Sequence, residues 1–597
     1  MTTREQTQAK LDRLSAGMMK HTPEQHYTVA DRLEERAAAS PDSPFLLWNG
    51  RALSYGEVNA QANRFAHHAL ASGLRPGDVA ALLMENRPEY LFVWFGLAKI
   101  GCVSALINTQ ASGEALRHAL ATTGSQRLFV GSECGERITR TPGVGDTLPL
   151  LAIADENQGP TPPGCRHIDA DIAAQPATNP DPALRSEVTG SSTLCLVFTS
   201  GTTGLPKAAR ITHARWLGVG EGWAALLEAG KDDVFYCALP LYHVAALMSL
   251  MSNALASGGR VVLRRRFSAS RFWADVREHG VTVAQYSGEM CRYLYNQPPH
   301  PDDRDHRLRA MTGSGLSPAI WLPFQERFGV TQMIEGYGGT EINVGLMNLD
   351  NRVGSCGRIP FPERSNARLV RYDRDRDCYL RNADGTLMDC ADDEVGEMLG
   401  MILELPGVTG GRFDGYTDPE ATEKKILRNA FRPGDAWLRT GDLFRRDADG
   451  YYYFVDRVGD TFRWKSENVS TTEVANVLGD APGVETVTVY GVSIPGNEGR
   501  AGMATIVMQP GHAFDPAALY RLAREQLPSY AVPVFVRVSD DTDITPTFKL
   551  RKVDLQKLGY RATPGDTLWV ADPAADRYVE ASALNLARLG IPPSHAA

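Results

Sequence analysis

The sequence predicts an α/β fold in which parallel sheets are covered by helices, and two observations carry this prediction. Helix-like and strand-like segments alternate along the chain, and the strand-like segments are short and almost wholly apolar. The chain has 597 residues, which is more than one hydrophobic core usually supports. We therefore expect more than one domain.

The alternation is clearest in the first hundred residues. Residues 57–71 carry apolar or small side chains at helical spacing, and Gly73 ends this predicted amphipathic helix. A Pro-Gly turn leads to a predicted strand at residues 79–84, and residues 88–100 follow as a predicted buried helix. Repetition of this unit predicts a parallel sheet.

Later segments continue the pattern. Residues 194–198 and 451–455 are predicted strands. Residues 242–255 are moderately apolar but too short to span a bilayer, so they are predicted to form a buried helix. Residues 158–185 and 371–393 are rich in Pro, Asp and Gly and are predicted surface connections.

The charge balance argues against nucleic acid as a partner. The net charge is -9, and no long basic run stands out. The short run Arg264-Arg-Arg266 is interpreted as a solvated strand end.

Cysteine usage and the N-terminus predict a cytoplasmic protein. The nine cysteines are scattered and form no Cys-x-x-Cys pair, which supports neither a disulfide framework nor a zinc site. Residues 1–27 are polar and helix-prone, without the apolar core of a signal peptide or membrane anchor.

The most informative motif is a hydroxyl- and glycine-rich loop that ends in a lysine, Phe198-Thr-Ser-Gly-Thr-Thr-Gly-Leu-Pro-Lys207. The glycines allow backbone N–H groups to converge on anionic oxygens, the hydroxyls add donors, and the lysine adds charge. The candidate phosphate-binding residues are Thr199, Ser200, Gly201, Thr202, Thr203, Gly204 and Lys207. Because Pro206 precedes the lysine, the spacing differs from the Walker loop and indicates another nucleotide-using family.

That order of residues resembles the phosphate loop of the adenylate-forming superfamily, which contains acyl-CoA synthetases, adenylation domains of peptide synthetases and firefly-type luciferases. Further motifs follow in the order of that superfamily. They are Gly336-Tyr-Gly-Gly-Thr-Glu341, Thr440-Gly-Asp442, Asp456-Arg457 and a lysine near the C-terminus, Lys549.

A narrower resemblance points to the branch of fatty acid transport proteins and very-long-chain acyl-CoA synthetases. It rests on the segments 412–416, 421–425, 456–465 and 467–473, and it extends from about Tyr27 to about Lys552. The animal transport proteins of this branch are expected to carry an N-terminal membrane segment. Its absence from residues 1–27 puts direct transmembrane transport in doubt.

The resemblance implies two domains. Residues 1–456 would form a large N-terminal domain of stacked, mostly parallel sheets and helices that binds AMP and the acyl group. Residues 457–597 would form a small, mobile α+β domain that carries Lys549 and turns about a hinge near Gly459.

The resemblance also implies roles in adenylation. Glu341 would bind Mg²⁺, and Thr340 would contact the α-phosphate. Lys549 would place its ammonium between the substrate carboxylate and the α-phosphate oxygens, and His243 would lie close to that carboxylate. Pro546 replaces the glycine usual in this lysine segment.

A second group of residues is expected to bind the nucleoside. Asp442 is suited to the two ribose hydroxyls, Arg457 to the sugar or phosphate, and Tyr337 to the face of the adenine. Gly313-Ser-Gly-Leu316 resembles the adenine wall of the family. The further candidates are Gly313, Ser314, Gly315 and Gly338.

Other segments concern the second half reaction and the acyl chain. Lys465 lies in a loop that resembles the lining of the pantetheine tunnel, where Ser466 replaces a glycine of the relatives. Residues 287–295 resemble a segment beside the acyl tunnel. Trp216 is interpreted as a core residue, with gating of that tunnel as the alternative.

The predicted function is that of an ATP-, Mg²⁺- and CoA-dependent ligase for long- or very-long-chain fatty acids, acting through an acyl-adenylate. A ligase for a branched, aromatic, sterol-derived or polar acid remains an alternative, as does delivery to a carrier protein. A third alternative is a lipid-binding or uptake protein with degenerate ligase activity, because Ser466 and Pro546 depart from the family pattern. The expected location is the cytoplasm, and peripheral contact with the membrane is left open. The oligomeric state is also left open between a monomer and a homodimer.

Overall fold

The computed structural model describes residues 3–156, 161–199, 206–373, 376, 378–464, 467–495, 497, 499–539 and 552–592. Helices and strands alternate through most of the first 340 residues. The α-helices are Thr3–Met18, Val29–Ala39, Tyr55–Ala71, Pro88–Lys99, Gly113–Thr123, Gly135–Thr139, Asp169–Ala173, His213–Leu227, Met251–Ser257, Ala269–His279, Gly288–Tyr295, Pro318–Phe328, Pro419–Glu423, Thr471–Gly479, Pro516–Gln526, Lys552–Leu558 and Ala583–Arg588.

The first sheet has seven strands, and every neighbouring pair except the last is parallel. In spatial order the strands are Arg166–His167, Leu150–Ile153, Arg127–Gly131, Val79–Leu83, Val103–Leu106, Thr193–Thr199 and Lys207–Thr212. Helices pack their apolar faces against this sheet. Tyr55–Ala71, for example, begins with a capping box at Ser54 and buries Val58, Ala62 and Phe65.

The second sheet has eight strands, with a parallel centre and an antiparallel strand at each edge. In spatial order the strands are Leu346–Met347, Gln332–Tyr337, Ala310–Ser314, Val283–Ser287, Val234–Cys237, Arg260–Leu263, Pro44–Trp48 and Arg51–Ser54. Parallel strands place their carboxyl ends along one edge, where α/β proteins bind their ligands.

The third sheet is antiparallel throughout, which the strand–helix alternation did not indicate. Its strands in spatial order are Gly357–Arg358, Tyr451–Arg457, Ala436–Arg446, Val395–Met401, Ala367–Asp373 and Cys378–Tyr379, with Ile426–Arg428 paired to Ala436–Arg446. Its long neighbouring strands bring Asp442 opposite Arg457.

The C-terminal part has a hydrophobic core of its own. It contains a five-stranded sheet of Val484–Val492, Ala501–Met508, Phe535–Val538, Thr567–Asp572 and Arg577–Glu580, and a hairpin of Phe462–Trp464 and Glu467–Val469. The buried residues of this core lie between Phe462 and Leu586, whereas those of the other clusters end at Tyr452. The predicted boundary at residue 456 falls in that interval, and the division into domains stays a prediction.

Most predicted elements are confirmed with small shifts. The helix predicted at 57–71 begins at Tyr55, and the strand predicted at 194–198 is Thr193–Thr199. The buried helix predicted at 242–255 begins later, with a π-helix at Ala245–Leu250 that continues into the α-helix Met251–Ser257. Among helices of the described residues, none combines the length and apolarity that a membrane crossing requires.

The predicted surface connections at 158–185 and 371–393 are mostly exposed where they are described. Buried Ile168 in the first and buried Leu387 in the second anchor these segments to the core. The interpretation of the arginine run needs a partial correction. The arginine run follows the strand Arg260–Leu263, as predicted, but only Arg266 is exposed. Arg264 donates two hydrogen bonds of 2.8 Å to Asp275, and Arg265 donates one of 2.5 Å to Asp155.

The N-terminal helix Thr3–Met18 crosses the helix His213–Leu227 at glycine contacts. A Cβ added at Gly17 would lie 2.5 Å from the carbonyl oxygen of Glu221. On the other side, Thr7 donates a 2.7 Å hydrogen bond to Asp350 and Lys10 donates one of the same length to the Leu349 carbonyl. The helix Thr3–Met18 therefore connects the helix His213–Leu227 with residues 349–350, which follow the edge strand Leu346–Met347 of the second sheet.

Gly17→Ala is expected to destabilise the protein, although alanine favours helices by about 1 kcal/mol over glycine. The added methyl group forces the helices apart, and overpacking of this kind costs roughly 1–3 kcal/mol. The thermal unfolding midpoint should fall relative to Gly230→Ala, where an added Cβ meets no atom within 4 Å. Equal midpoints for the two variants would contradict the close crossing.

Candidate active site

The candidate site residues come from all three N-terminal sheets. Thr199 ends a strand of the first sheet, Ser314 and Tyr337 end neighbouring strands of the second, and Asp442 and Arg457 face each other in the third. Contacts between the three sheets therefore bring together motifs that are separated by more than 200 residues in the sequence.

The phosphate motif connects two antiparallel strands. Thr199 and Lys207 are register partners at the loop end of this hairpin. The Lys207 ammonium lies 5.6 Å from the ring centre of Tyr416, a distance typical of a cation–π contact. Residues 200–205 lie outside the described part, so the loop members Ser200, Gly201, Thr202, Thr203 and Gly204 are not placed.

Tyr416 links this hairpin to the predicted metal ligand. Its hydroxyl donates a 3.0 Å hydrogen bond to Oε1 of Glu341, and it also bonds the Thr199 side chain. Its own segment pairs with the hairpin, since Ala209 and Tyr416 form a β-bridge. The sequence motifs did not predict a role for Tyr416. Its position in the segment 412–416, which carries the family resemblance, could have indicated one.

Arg215 supports the segment that follows Tyr337. Its guanidinium donates 3.2 Å hydrogen bonds to the carbonyls of Gly339 and Ile342, on either side of Thr340 and Glu341. Desolvation lowers the pKa of Arg215, and the nearby carboxylates of Asp414 and Glu341 oppose this shift. Nothing in the motif pattern singled out this arginine.

Tyr337, Asp442 and Arg457 form one cluster. The Tyr337 hydroxyl donates a 2.7 Å hydrogen bond to Oδ2 of Asp442, and Nε of Arg457 lies 3.5 Å from Oδ1. Burial raises the pKa of Asp442, while Arg457 and Tyr337 oppose that rise. Phe444 packs edge-on against the Tyr337 ring at 4.7 Å. The predicted ribose and adenine residues therefore lie together.

The predicted adenine wall is a close backbone contact. A Cβ added at Gly313 would lie 2.2 Å from the Tyr286 carbonyl oxygen, and one at Gly288 would lie 1.7 Å from that of Gly315. Gly315 has a φ of +86°, which favours glycine. The Ser314 side chain and Gly338 are exposed beside this wall, whereas Thr340 is buried.

His243 lies farther along the same edge of the second sheet, between the strand Val234–Cys237 and the π-helix. Asn86 holds this connection, because its side chain donates to the Leu239 carbonyl (2.8 Å) and accepts from the Leu241 N–H (2.8 Å). Trp216 is only 1% exposed and donates to the Leu247 carbonyl at 3.0 Å, which supports its interpretation as a core residue.

A polar cluster surrounds the predicted hinge. The Asp456 carboxylate accepts hydrogen bonds from the N–H (2.7 Å) and hydroxyl (3.0 Å) of Thr471. Lys552 donates to the Thr471 hydroxyl at 2.6 Å and pairs with Asp460 at 3.1 Å. Gly459 is exposed between these residues. Lys465 and Lys549 lie outside the described residues.

The site has the composition that an adenine nucleotide requires, with an aromatic face, a carboxylate for hydroxyl donors and cations near a glycine-rich hairpin. Two family models match the chain. "AMP-binding enzyme" covers residues 33–399, and "AMP-binding enzyme C-terminal domain" covers residues 473–549. The chain belongs to the AMP-binding enzyme family, and its predicted place among the adenylate-forming acyl-CoA ligases is confirmed.

Curated relatives confirm the predicted branch. Long-chain fatty acid transport protein 2 of Rattus norvegicus is 39% identical over 565 residues, covering 92% of this chain and 89% of that protein. Medium/long-chain-fatty-acid--CoA ligase FadD6 of Mycobacterium tuberculosis is 40% identical over 566 residues, covering 93% of this chain and 90% of that protein.

Solved structures confirm the predicted α/β fold class. The anthranilate CoA ligase AuaEII, solved with anthranoyl-AMP, superimposes with a TM-score of 0.72 at 21% identity and covers 89% of this chain and 96% of its own. A fatty acyl CoA synthetase of Mycobacterium tuberculosis gives a TM-score of 0.60 at 22% identity, with coverages of 89% and 98%. This is the adenylate-forming fold, with a large N-terminal and a small C-terminal domain.

Proposed function

We propose that the chain is an ATP- and Mg²⁺-dependent ligase that joins long-chain fatty acids to CoA through an acyl-adenylate. The observation that carries the proposal is the cluster of Tyr337, Asp442 and Arg457 beside the glycine wall at Gly313–Gly315. The substrate class is supported by the names of the relatives, which include a medium/long-chain fatty-acid CoA ligase at 40% identity.

The nucleoside contacts follow from this cluster. Asp442 presents a buried carboxylate that accepts the ribose hydroxyls, and Arg457 stands on its other side to donate to the sugar or phosphate. Tyr337 is oriented by its hydrogen bond to Asp442, so its ring is held in place to pack on adenine.

The phosphate contacts are assigned to the hairpin and the segment after Tyr337. Lys207 and the glycine-rich loop neutralise the β- and γ-phosphates, while Thr340 contacts the α-phosphate. Glu341, a carboxylate that accepts a hydrogen bond from the Tyr416 hydroxyl, fits Mg²⁺ as a hard oxygen donor. When bound, Mg²⁺ supplies charge neutralisation to the triphosphate.

Two further lysines complete the proposed reaction. Lys549 brings an ammonium to the carboxylate and α-phosphate oxygens during adenylation, and the loop at Lys465 lines the passage for pantetheine. Because both lie beyond the hinge, a turn of the small domain about Gly459 exchanges one for the other. We assign the protein to the cytoplasm, with contact at the inner face of the membrane as its route to fatty acids.

The test is CoA-dependent release of AMP from ATP across a panel of carboxylic acids. The panel runs from short to very long chains and includes branched, aromatic, sterol-derived and polar acids. Saturable turnover that peaks on long chains supports the proposal. Turnover on another acid only would keep the mechanism and overturn the substrate class, and acid binding without AMP release would favour an uptake or binding protein.

Replacing CoA by a pantetheinylated carrier protein in the same assay separates the two acceptors. Acyl transfer to the carrier with little transfer to free CoA would overturn the assignment of CoA as co-substrate. Analytical ultracentrifugation of the same preparation distinguishes a monomer from a homodimer.

A further inference from the structure

A buried carboxylate lies behind the adenine wall. Glu335 stands two residues before Tyr337 in the strand Gln332–Tyr337, and only 5% of its surface is exposed. The contacts proposed for ATP, the metal and the acid do not use it. Buried carboxylates are rare unless they are paired or hydrogen-bonded, so its position calls for a physical explanation.

The contacts of Glu335 converge on the loop that follows the neighbouring strand. Oε1 accepts a 2.5 Å hydrogen bond from the N–H of Gly315, and Oε2 accepts one of 3.3 Å from the N–H of Leu316. The Tyr286 hydroxyl donates a third hydrogen bond, of 2.7 Å, to Oε2. The carboxylate therefore ties together three adjacent strands of the second sheet where they end at the nucleotide site.

The loop depends on these bonds because its path leaves little room. Gly315 takes a left-handed conformation, with a φ of +86°, and its carbonyl lies against Gly288. In this conformation the N–H groups of Gly315 and Leu316 both donate to Glu335. Without an acceptor there, the buried N–H of Leu316 and the part-buried N–H of Gly315 would both lose this partner, which favours rearrangement of the loop.

We propose that Glu335 is a positioning residue for nucleotide binding, which acts by holding the Gly313–Gly315 wall in the shape that receives adenine. The inference rests on the proposed nucleotide site but not on the identity of the acid or of the thiol. Glu335 does not touch the nucleotide. Its effect is carried by the backbone of Gly315 and Leu316.

The electrostatics of the pocket agree with this role. Desolvation raises the pKa of Glu335 to about 7, and its three hydrogen bonds oppose that rise. The thiols of Cys291 and Cys356 and the Tyr286 hydroxyl face the same carboxylate, and its charge contributes to raising their pKa values. Burial thus disfavours the charged form of Glu335, and the backbone N–H groups and one hydroxyl stabilise it.

The first test is the affinity for AMP alone, measured by titration calorimetry. Glu335→Leu keeps most of the volume and removes both acceptors, so we expect the Kd for AMP to rise about tenfold or more. In Glu335→Gln the amide oxygen can still accept from Gly315 and the NH₂ can donate to the Tyr286 oxygen, so only the long 3.3 Å bond from Leu316 is lost. We expect this variant to stay within about threefold of the wild type.

Two further variants keep the result decisive. Glu326→Gln, an exposed glutamate on the helix Pro318–Phe328, is the control and should bind AMP like the wild type. Glu335→Asp keeps the charge but withdraws it from Gly315, and it decides the question if the leucine variant does not fold. We expect it to weaken AMP binding about tenfold as well.

Steady-state kinetics then separate positioning from general destabilisation. For Glu335→Leu and Glu335→Asp, the KM for ATP should rise while the KM for the acid changes little. Folded variants that bind AMP as tightly as the wild type would overturn the inference. Wild-type protein that binds AMP but activates no acid would instead contradict the proposed reaction and leave this inference standing.

The pH dependence of stability offers an independent check with a defined sign. The pKa of Glu335 is about 7 in the folded state, against an ordinary pKa of 4.5 for Glu. Between these two pH values the folded state therefore binds the Glu335 proton more tightly than the unfolded state does. Ionisation of this group therefore lowers stability as the pH rises through that window. Glu335→Gln should remove this part of the slope in denaturant unfolding, and an unchanged slope would show that the carboxyl is not desolvated.

Discussion

Replacing Asp442 by alanine is expected to raise the KM for ATP about 100-fold, with the protein still folded. The buried carboxylate is the proposed acceptor for two ribose hydroxyls, and hydrogen bonds to a charged group are worth about 1.5–3 kcal/mol each. A loss of about 3 kcal/mol corresponds to roughly two powers of ten. The variant also releases the Tyr337 hydroxyl, which now donates to Asp442 at 2.7 Å.

The measurement is ATP-dependent AMP formation at varied ATP, with the acid and CoA saturating. Asp449→Ala removes an exposed aspartate from the turn after the same strand and should leave the KM for ATP unchanged. Asp442→Asn, which keeps one acceptor oxygen, should fall between the two. A normal KM for ATP in folded Asp442→Ala would remove this residue from the nucleotide site.

Gly288→Ala is expected to lower kcat/KM for ATP by about 100-fold or more. The added Cβ would lie 1.7 Å from the carbonyl oxygen of Gly315 and 2.3 Å from its carbon. Since Cβ atoms do not approach backbone atoms within 3.0 Å, the helix Gly288–Tyr295 and the adenine wall must separate by more than 1 Å. Displacements of this size at a site cost about 10²-fold in rate.

Gly410→Ala is the matched control, because an added Cβ there meets no atom within 4 Å. Both variants receive the same methyl group, and they are compared for kcat/KM for ATP and for the unfolding midpoint. Activity of Gly288→Ala equal to that of the control would show that the wall tolerates a wider spacing, and would contradict the close contact described above.

The chemistry of the site was readable from the sequence where it depends on local residue order. The loop from Thr199 to Lys207 predicts polyphosphate binding by the order of its glycines, hydroxyls and lysine, and this role stays a prediction. Strands such as Val79–Leu83 and Thr193–Thr199 were predictable because a buried parallel strand is almost wholly apolar. The antiparallel sheet around Asp442 was not, since its pairing joins residues with no shared local pattern.

The sequence by itself determined the α/β class, the family and most of the residues proposed to meet ATP. Only the tertiary structure decided which side chains support them. Tyr416 reaches Glu341, Arg215 holds the carbonyls beside Thr340, and Glu335 fastens the adenine wall. The reason is physical: motifs record groups that face a ligand, whereas these contacts join segments that become neighbours only when the strands pair and the sheets pack together.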